Sequence, residues 1–120
     1  MTTPPWPTDI ALSPNKEILT VTFDDGKVFA LDAELLRVES PSAEVQGHGA
    51  DQKITPHGKR HVTIRGIEPV GHYAIRLNFS DGHDTGIFTW ETLYSYGVNT
   101  AQLMADYLKR LEDDGLSRDG

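Results

Sequence analysis

Apolar and polar residues alternate with a period of two over several stretches of this chain, and with a helical period over one. In "EILTVTF", Leu19, Val21 and Phe23 interleave with Thr20 and Thr22, the signature of a strand with one buried face. The preceding run "DIAL" is separated from it by "SPNK", where Pro14 presets a turn dihedral, so the two read as a hairpin. "DDG" reverses the chain again, because positive φ costs little only at Gly, Asn or Asp, and "KVFAL" returns as a third strand. Asp32 is placed to cap a short helix through "AELLR", with Leu35 and Leu36 toward the sheet.

From Ser40 to Gly58 the chain loses its period and reads as a long loop. Strands resume in "HVTIRGIEPV", where Pro69 suits an end or an edge, and in "HYAIRLNF", where Tyr73, Ile75, Leu77 and Phe79 alternate with Ala74, Arg76 and Asn78. After a second turn, "FSDGHDTGIFTW", Thr89 is expected to cap a helix that Gly97 ends as a left-handed residue. Asn99 would cap the last helix, with Gln102 in reciprocal contact, and Leu103, Met104, Tyr107, Leu108 and Leu111 would form its apolar stripe.

The pattern predicts an α+β domain: a mostly antiparallel β-sheet built from hairpins, with short helices and one C-terminal amphipathic helix packed on it. At 120 residues the chain suits one domain, expected over 8–114. A flexible proline-rich arm (1–7), or one packing only through Trp6, would precede it, and a flexible tail (115–120) would follow.

Charge and composition narrow the function classes. A net charge of −7 argues against a nucleic-acid surface, and "GKRH" at Gly58 to His61 is too short a basic run to reverse that. With no cysteine, disulfides, thiolate metal sites and cysteine nucleophiles are excluded. No apolar run is long enough for a membrane span and the first residues lack signal-peptide character, so a cytoplasmic location is expected. Nucleophile-elbow, zinc-protease and phosphate-loop signatures are absent, which favours a non-enzyme.

Among the histidines, His83 stands out because Asp81, Gly82 and Asp84 surround it, a setting suited to ion binding or proton transfer. Yet "FDDGK" makes the same turn with Lys27 in that place, so the residues alone read His83 as a surface turn histidine. His57 and His61 would lie about 14 Å apart on an extended chain, too far for one ion. His48, in "GHG", lacks the strand and helix of a phosphate loop.

"LLRVESPSAEVQGHG" followed by "IEPVGHYAIRLNFSDGHDTGIFTWETL" resembles a family of small bacterial proteins with no established function, related to the N-terminal domain of gamma-butyrobetaine hydroxylase. "IEPVGHYAI" and "FSDGH" are similar, more loosely, to a C-terminal domain of some iron-sulfur cluster carrier ATPases. In the hydroxylases, a structural zinc is held by three cysteines following "LR" and by one hairpin histidine. The resemblance sets Ser40, Ser42 and Val45 at the cysteine positions and His83 at the histidine. Serine hydroxyls do not replace thiolates on zinc at neutral pH and valine cannot ligate, so the hydroxylase-type site is expected to be absent. The oxygenase chemistry belongs to a separate catalytic domain and does not carry over.

The resulting expectation is a non-catalytic binding or adaptor module with protein partners, linked by resemblance to iron-sulfur or metal-cofactor handling. The Ser40 to Gly49 loop and the His83 hairpin would form its functional edge. The alternative is a zinc or iron site built on His83 and His48 with Asp81, Asp84 or Glu44 in support, as part of an enzyme system. A third reading places the interaction surface at the acidic helix end, Glu112 to Asp114. Oligomeric state is left open, since alternation does not tell which strand edge is covered.

Overall fold

The computed structural model describes residues 5–42, 45 and 55–119. His48 and Glu44 lie outside the described residues. The period-two run becomes the central strand of a meander, β1 (Pro7–Leu12), β2 (Ile18–Phe23) and β3 (Val28–Asp32). Both pairings are antiparallel, with Ile10 opposite Val21 and Leu31 opposite Leu19, so the apolar positions share one face. Helix α1 (Ala33–Val38) follows directly, with Leu35 and Leu36 buried. A second meander comprises β4 (Ile64–Val70), β5 (Ala74–Phe79) and β6 (Ile87–Thr89). Helices α2 (Trp90–Val98) and α3 (Thr100–Asp113) close the chain.

The architecture is α+β, but the strands divide into two three-stranded antiparallel sheets rather than one. The sheets meet through side chains. Leu19, Val21, Phe23 and Leu31 of the first share a core with Ile64, Ile75, Leu77, Phe79 and Phe88 of the second. Each such buried side chain stabilises the fold by about 1.5–3 kcal/mol. A backbone bond stitches the junction, Ile64 N–H to Lys16 O (2.9 Å), while Ala33 N–H to Glu17 O (2.7 Å) ties the start of α1 to the start of β2.

Several local expectations are corrected. Thr89 does cap α2, accepting the Thr92 amide at 3.1 Å, but Gly97 lies inside that helix and is absent from the positive-φ glycines. Its missing side chain instead admits the Phe29 ring, whose Cδ1 and Cδ2 atoms would lie 2.5 Å from an added Cβ. Asn99 makes no N-capping bond to α3; its amide nitrogen donates to Ser95 O at the end of α2, and Gln102 pairs with Asp106. Tyr73 precedes β5 in an exposed turn, and Leu108 faces solvent.

Helix α3 packs on α1 rather than on a sheet. Tyr107 and Leu111 join Val38 in a second small core flanked by Met104 and Leu116. Two buried glutamates of the α1 region are neutralised from the C-terminal side: Arg118 grips Glu34 through both carboxylate oxygens (2.8 and 2.6 Å), and Arg110 reaches Glu39 at 2.9 Å. The Tyr107 hydroxyl donates to Pro56 O (2.8 Å), and the Gly58 and Arg60 amides donate to Ser117 O and Arg118 O. Residues 115–119 are thus tied into the domain.

Candidate functional site

The two Asp-Gly turns have the same backbone. In the first, Phe23 N–H donates to Lys27 O (2.8 Å) and Gly26 N–H to Phe23 O (3.0 Å). In the second, Phe79 N–H donates to His83 O (2.9 Å) and Gly82 N–H to Phe79 O (3.0 Å). Gly26 and Gly82 share a φ of 90°, and Asp25 and Asp81 each accept the amide two residues on, at 2.9 and 3.1 Å. The turn therefore makes no demand for histidine. What differs is the surroundings of the side chain: Lys27 is exposed, whereas His83 is only 7% exposed.

The expectation of a surface histidine is overturned by the segment that leaves α1. Ser40 and Ser42 are buried, with Oγ atoms 2.9 and 3.3 Å from His83 Nε2 and 3.4 Å from one another. Which partner donates depends on the imidazole tautomer. Gly86 makes room for the contact, since a Cβ there would overlap Ser40 Oγ. The Phe79 ring lies tilted against the imidazole at 6.1 Å. Val45 is also buried, and its amide donates to Ser42 O at 3.1 Å. Ser40, Ser42 and His83, three of the positions that the resemblance singled out, are in direct contact.

Asp81 is near in sequence but committed elsewhere. Its Oδ2 takes Arg37 Nε at 2.8 Å and Lys59 Nζ at 2.6 Å, while Oδ1 takes the His83 amide. Burial alone would raise its pKa, but the Lys59 bond, the His83 amide and Arg37 outweigh it and hold the carboxyl at about 2. Arg37 Nη1 is buried without a hydrogen-bond partner among the described residues. Asp84 is exposed and lends charge to Arg76. His57, His61 and His72 are exposed. An open hollow of about 280 Å³ lies beside the Lys59–Asp81 pair, lined also by His61, Ser80, Arg118 and Asp119, and the His83 ring does not line it.

The donor set does not fit a structural zinc. His83 supplies one imidazole that zinc could take, but two hydroxyls and a valine side chain stand where the remaining ligands would be. Among the described residues no group of three or more His, Cys, Asp or Glu side chains could hold an ion. The ion pairs around Asp81 gave no sequence signal, since Lys59 and Arg37 lie 22 and 44 residues away.

Two hairpin-built sheets around a shared apolar core, with the second hairpin delivering one buried histidine to the segment after α1, define an α+β domain with a buried polar cluster at one end. The chain belongs to the gamma-butyrobetaine hydroxylase-like, N-terminal family, whose pattern matches residues 10–94. Two proteins known from NMR solution structures are similar over nearly the whole chain. One is 46% identical with a TM-score of 0.83, covering 96% of this chain and 90% of that one. The other is 44% identical with a TM-score of 0.82, covering 98% and 90%. A crystal structure from Acidithiobacillus ferrooxidans, described as a DUF971-family protein of unknown function, is 44% identical with a TM-score of 0.60, covering 72% of this chain and 86% of that one. No curated protein matches. Among the described residues no helix is long and apolar enough to cross a membrane.

Proposed function

We propose that this chain is a non-catalytic protein-binding module in which Ser40, Ser42 and His83 form a hydrogen-bonded latch where relatives of the hydroxylase type would place a metal. The observation that carries this reading is the double approach of serine hydroxyls to His83 Nε2, at 2.9 and 3.3 Å, in a buried setting. A Ser–His pair could also suggest a nucleophile and its base, but that chemistry requires the serine oxygen and the imidazole to reach a substrate. Ser40 has no exposed surface, so the arrangement favours cross-linking the α1 exit to the second hairpin. On this reading any connection with iron-sulfur or metal-cofactor handling runs through a partner rather than through ligands of this chain.

The test is an NMR titration with Zn²⁺ and then Fe²⁺, following the imidazole resonances of the five histidines. The latch predicts no saturable response at His83. A shift at His83 that saturates near one equivalent and disappears in His83→Ala would establish the metal-site alternative instead.

A further inference from the structure

The end of the molecule opposite the His83 hairpin carries the most prominent exposed aromatic group. Strand directions fix this placement: β5 runs from the Gly71–Tyr73 turn toward His83, and Ile64, opposite Phe79, is bonded to Lys16 at the β1–β2 turn. The Asp24–Gly26 turn, at the far end of β2, therefore falls on the Tyr73 side. Contacts confirm it. Trp6 and Trp90 meet edge to face at 6.1 Å, Trp90 Nε1 donates to His72 O (2.8 Å), and the Trp90 amide donates to Tyr73 O (3.2 Å).

Trp6 is 49% exposed and Tyr73 56% exposed. Trp6 is nevertheless held in place: its main-chain N–H donates to Asp24 Oδ1 (3.1 Å), its C=O accepts the Asp24 amide (2.8 Å), and its ring rests edge to face against Trp90. A fixed, half-exposed indole sacrifices little conformational freedom on binding, which is what an interface anchor requires. Carboxylates border it. Asp24 and Asp25 occupy the adjoining turn, with Asp25 Oδ2 taking the Tyr94 hydroxyl at 2.7 Å. Glu91 is exposed one helical turn before Tyr94, on the same side of α2. Lys27 offsets one of these charges.

We propose that this end, anchored by Trp6 and Trp90 and bordered by Asp24, Asp25 and Glu91, docks a basic, partly apolar segment of a partner protein. The inference rests on the binding-module reading and supplies its surface and the chemistry of its partner. Tryptophan faces take cationic side chains and apolar stems together, and the carboxylates select positive charge. This surface differs from the Ser40 to Gly49 edge that the sequence suggested.

Both of the chain's tryptophans lie at the site, so their indole N–H resonances report on it directly. The probe is a nine-residue peptide alternating Lys and Arg with Leu, compared with the same peptide carrying Glu at the basic positions. Expected is a saturable shift of both indole signals with the basic peptide only, weakening severalfold as NaCl screens the charges. Trp6→Ala should weaken binding by about tenfold or more, and Glu91→Gln by a few fold. Trp6 lies outside the hydrophobic core, so that variant should keep its fold, checked by its amide spectrum. A flat titration, equal response to the acidic peptide, or unchanged affinity in Trp6→Ala would overturn the proposal. None of these outcomes bears on the latch, which the metal titration decides separately.

Discussion

His83→Ala and Lys27→Ala form a matched pair, because the two turns share their backbone hydrogen bonds, their glycine conformation and their aspartate contact. Any effect of alanine on the turn itself cancels between them. What remains is the environment of the side chain. Losing the imidazole removes the hydrogen bond that its Nε2, with one proton or one lone pair to offer, shares between the two buried serines, at about 1 kcal/mol. It also opens a void beside Phe79 that costs about a further 1 kcal/mol. The sum is about 2 kcal/mol for His83→Ala, whereas an exposed turn lysine should change stability by no more than about 0.5 kcal/mol. Urea unfolding at neutral pH measures both, and an unchanged slope would show that the denatured state is unaltered. In a thermal scan the same loss corresponds to about 8 °C. If His83→Ala falls within about 0.5 kcal/mol of Lys27→Ala, the latch contributes nothing and the argument fails.

Three further outcomes follow from named contacts. Gly97→Ala should lower stability by about 1–2 kcal/mol in urea unfolding, although alanine is the better helix former by about 1 kcal/mol, because the new methyl group overlaps the Phe29 ring; a rise in stability would contradict the packing. Asp81 has its folded pKa depressed to about 2 from 3.8, so it contributes stability above its unfolded pKa that is lost as pH falls through about 4 to 2. Discounted for solvent screening, that contribution is about 1–2 kcal/mol, and Asp81→Asn should be less stable than the parent at pH 6 with the gap closing by pH 2; a gap independent of pH would refute it. Ser40→Cys, Ser42→Cys and Val45→Cys together should create a 1:1 zinc site with His83, detected by tetrahedral cobalt absorption and a raised melting temperature, while the parent shows neither; absence of binding in the triple variant would mean that Val45 does not face the cluster.

Much of the framework was legible in the residues because it depends on local rules. Period-two alternation located β2 and β5, turn signals located β1, β3 and β4 beside them, both Asp-Gly turns were assigned correctly, and Thr89 caps its helix as its side chain suggests, whereas the short strand β6 was not assigned. Local rules failed where a distant group decided the outcome. Gly97 reads as a helix end by its intrinsic freedom, yet it sits within α2 because Phe29, 68 residues earlier, occupies the space that its side chain would need. Asn99 reads as the side-chain cap of α3, but its backbone and side-chain amides both donate to Ser95 O at the end of α2. Alternation also could not reveal that the strands form two facing sheets, since each hairpin is satisfied by its own neighbours either way.

The same division holds at the candidate site. The sequence by itself determined that no thiolate chemistry is available, that the second turn needs no histidine, and, through the family likeness, which positions to compare. Only the tertiary structure decided that Ser40 and Ser42 meet His83, because a contact across 41 to 43 residues is created by α1 carrying the serines over the second hairpin. Burial, and with it the difference between a turn histidine and a latch, is a property of what packs against a residue, and no spacing along the chain encodes it.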